Sequence, residues 1–243
     1  MNNELPRRAA IVGASSGIGR ATALGLAVER YDVLAVGRDQ RKLDDLHDLC
    51  RREGLHNLTV RKADAGDRTL DPVLEEFAPL GHIVLCLSSA LGGGPFAQLN
   101  LDDLRAGFEG KFWPYLAALR AALPHLGHGS SVTLVTGASA GASIPGTAGL
   151  AAINGALEAM IPILAVDLPQ VRVNAISPGV IDTPWWSGFP PETRAQMFAD
   201  YAQAAPVRRI GRAEDVAHAI QFVIENSFVT GATIHVDGGL RLA

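Results

Sequence analysis

The stretch from Ala9 to Arg20 reads AAIVGASSGIGR, a short apolar run that passes through three glycines into a helix-like pattern. A strand that ends at a glycine and continues as a helix leaves free backbone N–H groups and the positive end of a helix dipole, about half an elementary charge, at one point. Such a point suits a phosphate group. We expect Gly13 to permit the tight turn, Gly17 to let a pyrophosphate approach the backbone, and Gly19 to let the helix pack near the strand. The stretch therefore predicts a dinucleotide site.

The composition indicates one large core and no strong charge. At 243 residues and 48% hydrophobic content, the chain is long enough for a single α/β domain over residues 1–243. Its formal net charge of −4 and isoelectric point near 6.0 provide no basic field for nucleic acid or an anionic membrane surface. We therefore expect a small molecule as the partner, and neither nucleic acid nor a membrane.

Targeting and membrane signals are not evident in the sequence. No apolar run reaches about 18 residues, and residues 1–8 lack the apolar core of a signal peptide. This pattern predicts a cytoplasmic protein without a membrane span.

The cysteines and histidines do not form a metal-ligand pattern. Cys50 and Cys86 are too few for a disulfide scaffold and are not spaced as metal ligands. His125 and His128 lie in a glycine-rich stretch without carboxylates, which is more typical of a solvated loop than of a metal site. We expect no bound metal.

Apolar runs and amphipathic segments alternate along the chain. Strands are predicted at 9–12, 33–36, 58–60, 82–87, 132–136, 171–176 and 233–236, and helices at 17–29, 40–52, 71–77, 101–125, 147–167 and 213–225. This alternation builds a parallel sheet with right-handed crossovers, whose ligands bind beyond the carboxyl ends of the strands. The strand-end turns that should line one crevice contain Gly13, Gly37, Asp64, Ser88, Gly137 and Pro178.

Taken together, these segments resemble the short-chain dehydrogenase/reductase family along almost the whole chain. The resemblance is carried by GASSGIG at 13–19, Asp64 after the third strand, ALE at 156–158, RVNAISPGVIDTP at 172–184 and TGATIHVDGG at 230–239. It implies an α/β fold with a Rossmann-type doubly wound parallel sheet of about seven strands, flanked by helices on both faces. It also implies a homo-oligomer, either a dimer or a tetramer.

The resemblance further implies a nicotinamide cofactor lying across the strand ends. The residues expected to bind it are Gly13, Ser15, Ser16, Gly17, Ile18, Gly19, Arg38, Asp64, Ala65, Ser88, Ser89, Ala90, Pro178, Gly179, Ile181 and Thr183. An NAD-preferring site usually has a carboxylate at the end of the second strand, where this chain has Gly37 followed by Arg38. Because an arginine can pair with a 2′-phosphate through two hydrogen bonds, we predict NADP(H), with NAD as the less favoured cofactor.

The residues that transfer protons in this family are missing from the chain. The family normally has a serine after the fifth strand, a tyrosine and a lysine four residues apart on the following helix, and an asparagine on the preceding helix. Here Leu150 stands at the tyrosine position and Asn154 at the lysine position. Gly137 stands at the serine position, with Ser139 two residues later, and Lys111 stands at the asparagine position.

Lysine and asparagine therefore appear exchanged between the two helices. We hypothesise that Lys111 and Asn154 contact each other or the cofactor ribose; the alternative is an unrelated surface lysine and a core-edge asparagine. Ser139, Lys111 and Tyr201 are the candidates for the missing acid, whereas Tyr115 is expected to be a helix-packing aromatic. The predicted catalytic residues are Lys111, Ser139 and Asn154.

Residues 181–207 are predicted to be less regular and carry an aromatic run, Trp185, Trp186 and Phe189. We interpret this segment as a hydrophobic substrate lid rather than a subunit contact. The sequence favours an NADP-dependent oxidoreductase of divergent catalytic design that acts on a small alcohol or carbonyl compound. The alternative is a non-catalytic NADP(H)-binding homologue with a regulatory or structural role. A cofactor-free lyase or dehalogenase is disfavoured, because the glycine turn is kept and the tyrosine is lost.

Overall fold

A seven-stranded parallel sheet forms the centre of the protein, whose computed structural model describes residues 5–243. The strands are β1 (Arg8–Val12), β2 (Asp32–Gly37), β3 (Leu58–Lys62), β4 (Leu80–Leu85), β5 (Leu126–Val135), β6 (Arg172–Pro178), β7 (Ile181–Asp182), β8 (Gly211–Arg212) and β9 (Thr233–Val236). The helices are α1 (Gly17–Val28), α2 (Gln40–Arg52), α3 (Leu70–Glu76), α4 (Leu101–Gly110), α5 (Phe112–Ala122), α6 (Ala148–Asp167), α7 (Pro191–Ala204) and α8 (Ala213–Glu225).

The order of the strands in the sheet is β3-β2-β1-β4-β5-β6-β9, and β7 and β8 form a separate pair. The sheet order reverses between β1 and β4, which lie side by side with Ala10 opposite Ile83. In sheets of this kind the ligand crevice opens beyond the carboxyl ends of the strands at this reversal. The predicted Rossmann-type doubly wound sheet is therefore confirmed.

Two apolar cores lie on opposite faces of the sheet. Helices α1, α2 and α8 cover one face, and α3, α5 and α6 cover the other. Every residue of β4 is buried, which is typical of a strand covered by helices on both sides. This packing fixes the carboxyl ends of the strands at one edge of the molecule.

The predicted helix over 101–125 is wrong, because the structure divides it into α4 and α5 at Lys111. The backbone at Lys111 has φ −132° and ψ −63°, outside the helical range. Pro114 lies three residues later, and its ring would clash with the carbonyl of Gly110, four residues before it, in a continuous helix. A new helix that begins at Phe112 accepts Pro114 in its first turn, where the missing N–H is not needed. The break thus places Lys111 at the N-terminal cap of α5.

Two further segments differ from the predictions. β5 begins at Leu126, so most of the stretch around His125 and His128, which was predicted to be a solvated loop, belongs to a strand. The pairing of this strand with β4 is irregular. The predicted less regular segment 181–207 contains the 14-residue helix α7. Its start at Pro191 fits the preference for proline in a first helical turn. This helix start was missed because the segment was interpreted from its aromatic residues.

By length and composition alone, helix α6 is apolar enough to cross a membrane, a test that the core helix of a globular protein also passes. In the fold its side chains Ile153, Leu157 and Ile161 are buried in the protein, as in the core helix of a globular domain. Ile163 and Val166 lie on the same helix but are 61% and 77% exposed. The helix therefore has one packed face and one apolar face that the chain leaves open.

His82 in β4 is a buried titratable group of the core. Its side chain is 5% exposed, and Nδ1 lies 2.8 Å from Ser131 Oγ. Burial lowers the pKa of His82 from 6.5 to about 4, with smaller contributions from Arg172 and Arg7. The imidazole is consequently neutral in the folded protein at pH 6.

We predict that His82 weakens the fold in mild acid. The unfolded chain binds this proton near pH 6.5 and the folded chain only near pH 4, so the free energy of unfolding decreases as pH falls through this window. Above about pH 6.5 the imidazole of His82 is neutral in both states and does not change the free energy of unfolding. We expect a loss of about 3 kcal/mol between pH 7 and pH 4 that His82→Gln removes. Urea unfolding at a series of pH values measures it.

The exposed His56 provides the matched control, because its substitution His56→Gln should leave the pH dependence unchanged. Equal pH dependence in the wild type and His82→Gln would contradict a buried, neutral His82.

Candidate active site

A cavity of about 1000 Å³ lies at the carboxyl ends of the strands. Most of the predicted site residues line it, namely Gly13, Ser16, Gly17, Ile18, Gly19, Ser88, Ser89, Ala90, Lys111, Ser139, Asn154, Pro178, Gly179, Ile181 and Thr183. Four predicted residues do not, namely Ser15, Arg38, Asp64 and Ala65. The cavity runs from the glycine turn to the aromatic segment after β7.

The glycine turn is shaped by close backbone packing. A Cβ atom on Gly13, whose φ is +93°, would lie 2.4 Å from the carbonyl oxygen of Cys86. A Cβ on Gly19 would lie 2.3 Å from the carbonyl oxygen of Gly13. Only glycine therefore fits at either position, and the turn leaves bare backbone at the start of α1.

The start of α1 also has the electrostatics of an anion site. The cap residue Ser16 makes no side-chain hydrogen bond to the helix, and the first turn contains no acidic residue. The first N–H groups of α1 and the positive end of its dipole therefore face the cavity without a competing carboxylate. These features fit the diphosphate of a dinucleotide cofactor.

The end of the cavity near β2 differs in detail from the prediction. The Ser15 side chain packs against Gly37 at the end of β2, because a Cβ added to Gly37 would be 3.1 Å from the Cβ of Ser15. Arg38 is exposed, with Nη1 3.9 Å from Asp64 Oδ2. Lys42 lines the cavity from the first turn of α2, and the sequence analysis missed it. A second cation four residues after Arg38 was the feature of the sequence that could have identified Lys42.

Lys111 and Asn154 contact each other deep in the cavity, as hypothesised. Lys111 Nζ donates to Asn154 Oδ1 at 2.7 Å and to the carbonyl oxygen of Thr136 at 3.0 Å. Asn154 Nδ2 in turn donates to Ser139 Oγ at 3.0 Å. The three predicted catalytic residues thus form one hydrogen-bonded array, and Lys111 is only 7% exposed.

Burial controls the charge of this array. It lowers the pKa of Lys111 to about 8, and the neighbouring Cys86 and Glu158 act in the opposite direction. Burial also raises the pKa of the Cys86 thiol to about 12, so the thiol is neutral at physiological pH. Lys111 is therefore a cation that titrates close to neutrality at the base of the cavity.

Gly137, which was predicted to stand at the family's serine position, has little room for a side chain. A Cβ on Gly137 would lie 2.9 Å from Asn154 Nδ2. Any larger residue would press against the amide that bonds Ser139. Leu150, at the usual tyrosine position, lines the cavity with an apolar side chain. The expected helix-packing role of Tyr115 is confirmed, since it is fully buried and its single hydroxyl hydrogen lies among the carbonyls of Leu85, Leu87 and Val135, of which Val135 is the nearest.

Aromatic residues form one wall of the cavity. The Trp186 ring lies 4.6 Å from the Trp185 ring and 5.6 Å from Phe189, measured between centroids, and its Nε1 donates to the carbonyl of Ile181. Tyr201 on α7 lines the same wall, and burial raises the pKa of its phenol. Within residues 5–243 no cation lowers this pKa, so Tyr201 does not reproduce the activated tyrosine of the family.

The charged residues that line this cavity within the described chain are Lys42 and Lys111, and both are cationic. The aromatic end of the cavity contains neither carboxylates nor further cations. The arrangement combines an anion-binding turn, a buried cation and an apolar chamber.

Comparisons with known proteins agree with this geometry. A family model described as enoyl-(acyl carrier protein) reductase matches residues 13–241. The cis-4-hydroxycyclohexanecarboxylate dehydrogenase of Sinomonas cyclohexanicum is 32% identical over 96% of both chains. A small-chain dehydrogenase solved in complex with NADPH superposes with a TM-score of 0.79 and 28% identity, covering 97% of this chain and 99% of that one.

A second solved structure, the short-chain dehydrogenase/reductase described as glucose/ribitol dehydrogenase from Brucella melitensis, gives a TM-score of 0.85 at 27% identity and covers 98% of both chains. The match of the family model over nearly the full length and the relative at 32% identity agree with the fold and the glycine turn. The chain belongs to the short-chain dehydrogenase/reductase family.

Proposed function

We propose that the protein is an NADP(H)-dependent oxidoreductase that interconverts a small alcohol and its carbonyl compound through a divergent site. The observation that carries the proposal is the array of Lys111, Asn154 and Ser139 in the same cavity as the glycine turn. A bound nicotinamide would supply or accept the hydride. The chain's own residues would bind and orient the cofactor and the substrate.

The glycine turn would hold the diphosphate through the N–H groups at the start of α1. Residues 178–183 would cover the nicotinamide, and the strand-end segment 88–90 would line the path between them. Asp64 and Ala65 would lie near the adenine, outside the cavity walls. Together these segments contain every predicted cofactor-binding residue except Arg38.

Preference for NADP(H) would come from Arg38 and Lys42. Gly37 leaves the end of β2 without the carboxylate that usually holds an NAD ribose. Arg38 is exposed beside this point, and Lys42 lines the cavity one helical turn further on. Two cations at this end favour a 2′-phosphate. The NADPH complex of a related dehydrogenase supports the same choice.

Ser139 would be the group that hydrogen-bonds the substrate oxygen. Its oxygen accepts from Asn154 Nδ2, so its own hydrogen remains available to the cavity. Lys111 would hold the Asn154 amide and place a positive charge near the developing oxyanion. Since Leu150 has no proton to donate, the rate would lack part of the roughly 10²–10⁴-fold gain of a positioned acid. Orientation of the reacting groups, worth about 7–11 kcal/mol, would remain.

The substrate would be small and largely apolar. Segment 181–207 would act as its lid, because Trp185, Trp186 and Phe189 line the cavity next to the residues assigned to the nicotinamide. The two lysines are the only charged lining groups within residues 5–243, so the chamber favours a neutral or anionic compound. We place the protein in the cytoplasm and expect it to act as a dimer or tetramer, in which the open apolar face of α6 is covered.

The first prediction concerns cofactor choice. Arg38→Gln should weaken NADPH binding about 10-fold, because one charged partner of the 2′-phosphate is lost, and should leave NADH binding nearly unchanged. Arg51→Gln, at the far end of α2, is the matched control. Isothermal titration calorimetry with both cofactors measures the change. Equal affinities of the wild type for NADPH and NADH would contradict the proposed preference.

The second prediction concerns turnover. The wild type should oxidise NADPH in the presence of members of a panel of small apolar ketones and aldehydes, as followed by the loss of reduced-nicotinamide absorbance. Lys111→Met should lower kcat/KM about 10²-fold or more, because it removes the buried cation and releases Asn154. Lys62→Met, an exposed lysine outside the cavity, should not. Binding of NADPH without turnover of any compound would contradict the proposed enzyme activity and support the alternative, a non-catalytic cofactor-binding protein.

A further inference from the structure

Glu158 lies on α6 one helical turn after Asn154. Its carboxylate accepts a hydrogen bond from Thr136 Oγ1 at 2.6 Å, and the side chain is only partly exposed. Glu158 does not line the cavity. It therefore lies behind the array of Lys111, Asn154 and Ser139 rather than in contact with a substrate.

Thr136 connects the carboxylate to the buried cation. Its carbonyl oxygen accepts from Lys111 Nζ at 3.0 Å, while its hydroxyl donates to Glu158 Oε1. One residue at the end of β5 thus lies between an ammonium group and a carboxylate. The position of the Thr136 backbone is also fixed by its N–H, which donates to the carbonyl of Ile176 in β6.

The other titratable groups around Lys111 are neutral. Burial raises the pKa of the Cys86 thiol, after β4, to about 12, and burial holds the phenol of Tyr115, on α5, well above its usual pKa. The Tyr115 ring centroid is 5.8 Å from Lys111 Nζ. Within residues 5–243, Glu158 is the carboxylic acid that raises the pKa of Lys111.

Whether Lys111 is protonated determines which atoms donate and which accept in the hydrogen bonds of the array. An ammonium group only donates, so Asn154 must present Oδ1 to Lys111 and Nδ2 to Ser139, as observed. A neutral amine can also accept, and the amide could then rotate and turn Oδ1 toward Ser139. In that orientation the Ser139 hydrogen would be directed to the amide and away from the cavity.

We infer that Glu158 is a positioning residue that, through Thr136, keeps the buried Lys111 side chain protonated and so directs the Ser139 hydroxyl into the cavity. The inference rests on the proposed function for the use of Ser139. The electrostatic coupling between Glu158 and Lys111 is independent of any bound cofactor.

The test is the titration of Lys111 in the protein without ligands. The chain has three lysines, Lys42, Lys62 and Lys111, so ε-¹³C-lysine labelling gives three NMR signals, and Lys111→Met identifies the one of interest. In Glu158→Gln the midpoint of the Lys111 titration should move about one pH unit lower, because the neighbouring negative charge is lost. The Lys42 and Lys62 signals should not move.

Asp167→Asn, an exposed carboxylate at the end of the same helix, is the matched control and should leave the Lys111 titration unchanged. With NADPH and an active carbonyl compound, the basic limb of the kcat profile of Glu158→Gln should shift by the same amount. The kcat at pH 6.5, where Lys111 stays protonated in both proteins, should remain close to that of the wild type.

The outcomes separate the two proposals. A Lys111 signal that titrates identically in the wild type and Glu158→Gln overturns the inference and leaves the proposed function in place. A shifted Lys111 signal in a protein that gives no calorimetric heat with NADPH or NADH overturns the proposed function, while the coupling of Glu158 to Lys111 stands.

Discussion

The close backbone contact between the glycine turn and the segment after β4 is the constraint on which the site depends. Gly13 and Gly19 have no room for a side chain, because the carbonyls of Cys86 and Gly13 occupy that space. This contact brings the start of α1 against the reversal point of the sheet. The glycine turn and the buried lysine consequently line one cavity, as the proposed function requires.

The departures from the family pattern form one physical unit. Lys111 and Asn154, which the resemblance implies are exchanged between two helices, form a hydrogen bond that keeps an ammonium group beside an amide. Gly137 supplies the space that the Asn154 amide needs. Pro114 breaks the long helix where Lys111 can point inward. Four separate positions therefore support the same array. Their agreement is stronger support for a functional site than any one of the four positions alone.

Hydrophobic periodicity and the glycine turn were sufficient to predict the parallel sheet and most of the cavity. The break at Lys111 was missed because a proline in a long apolar pattern is compatible with either a kink or a new helix start. Lys42 and Glu158 were missed because their roles depend on how far a side chain reaches across the fold. The contact between Lys111 and Asn154 was predictable, since the family positions already placed both residues near the ribose.

The exchanged pair also restricts how this site could change during evolution. Replacing Asn154 by lysine first would place two ammonium groups within hydrogen-bond distance in a buried pocket, where like charges repel strongly. Replacing Lys111 by asparagine first would remove the buried cation and leave Lys42, on α2, as the charged residue lining the cavity within residues 5–243. Neither single replacement therefore preserves the buried pair of one ammonium group and one amide. The two positions consequently depend on each other, and keeping one buried cation beside one amide would require both to change together.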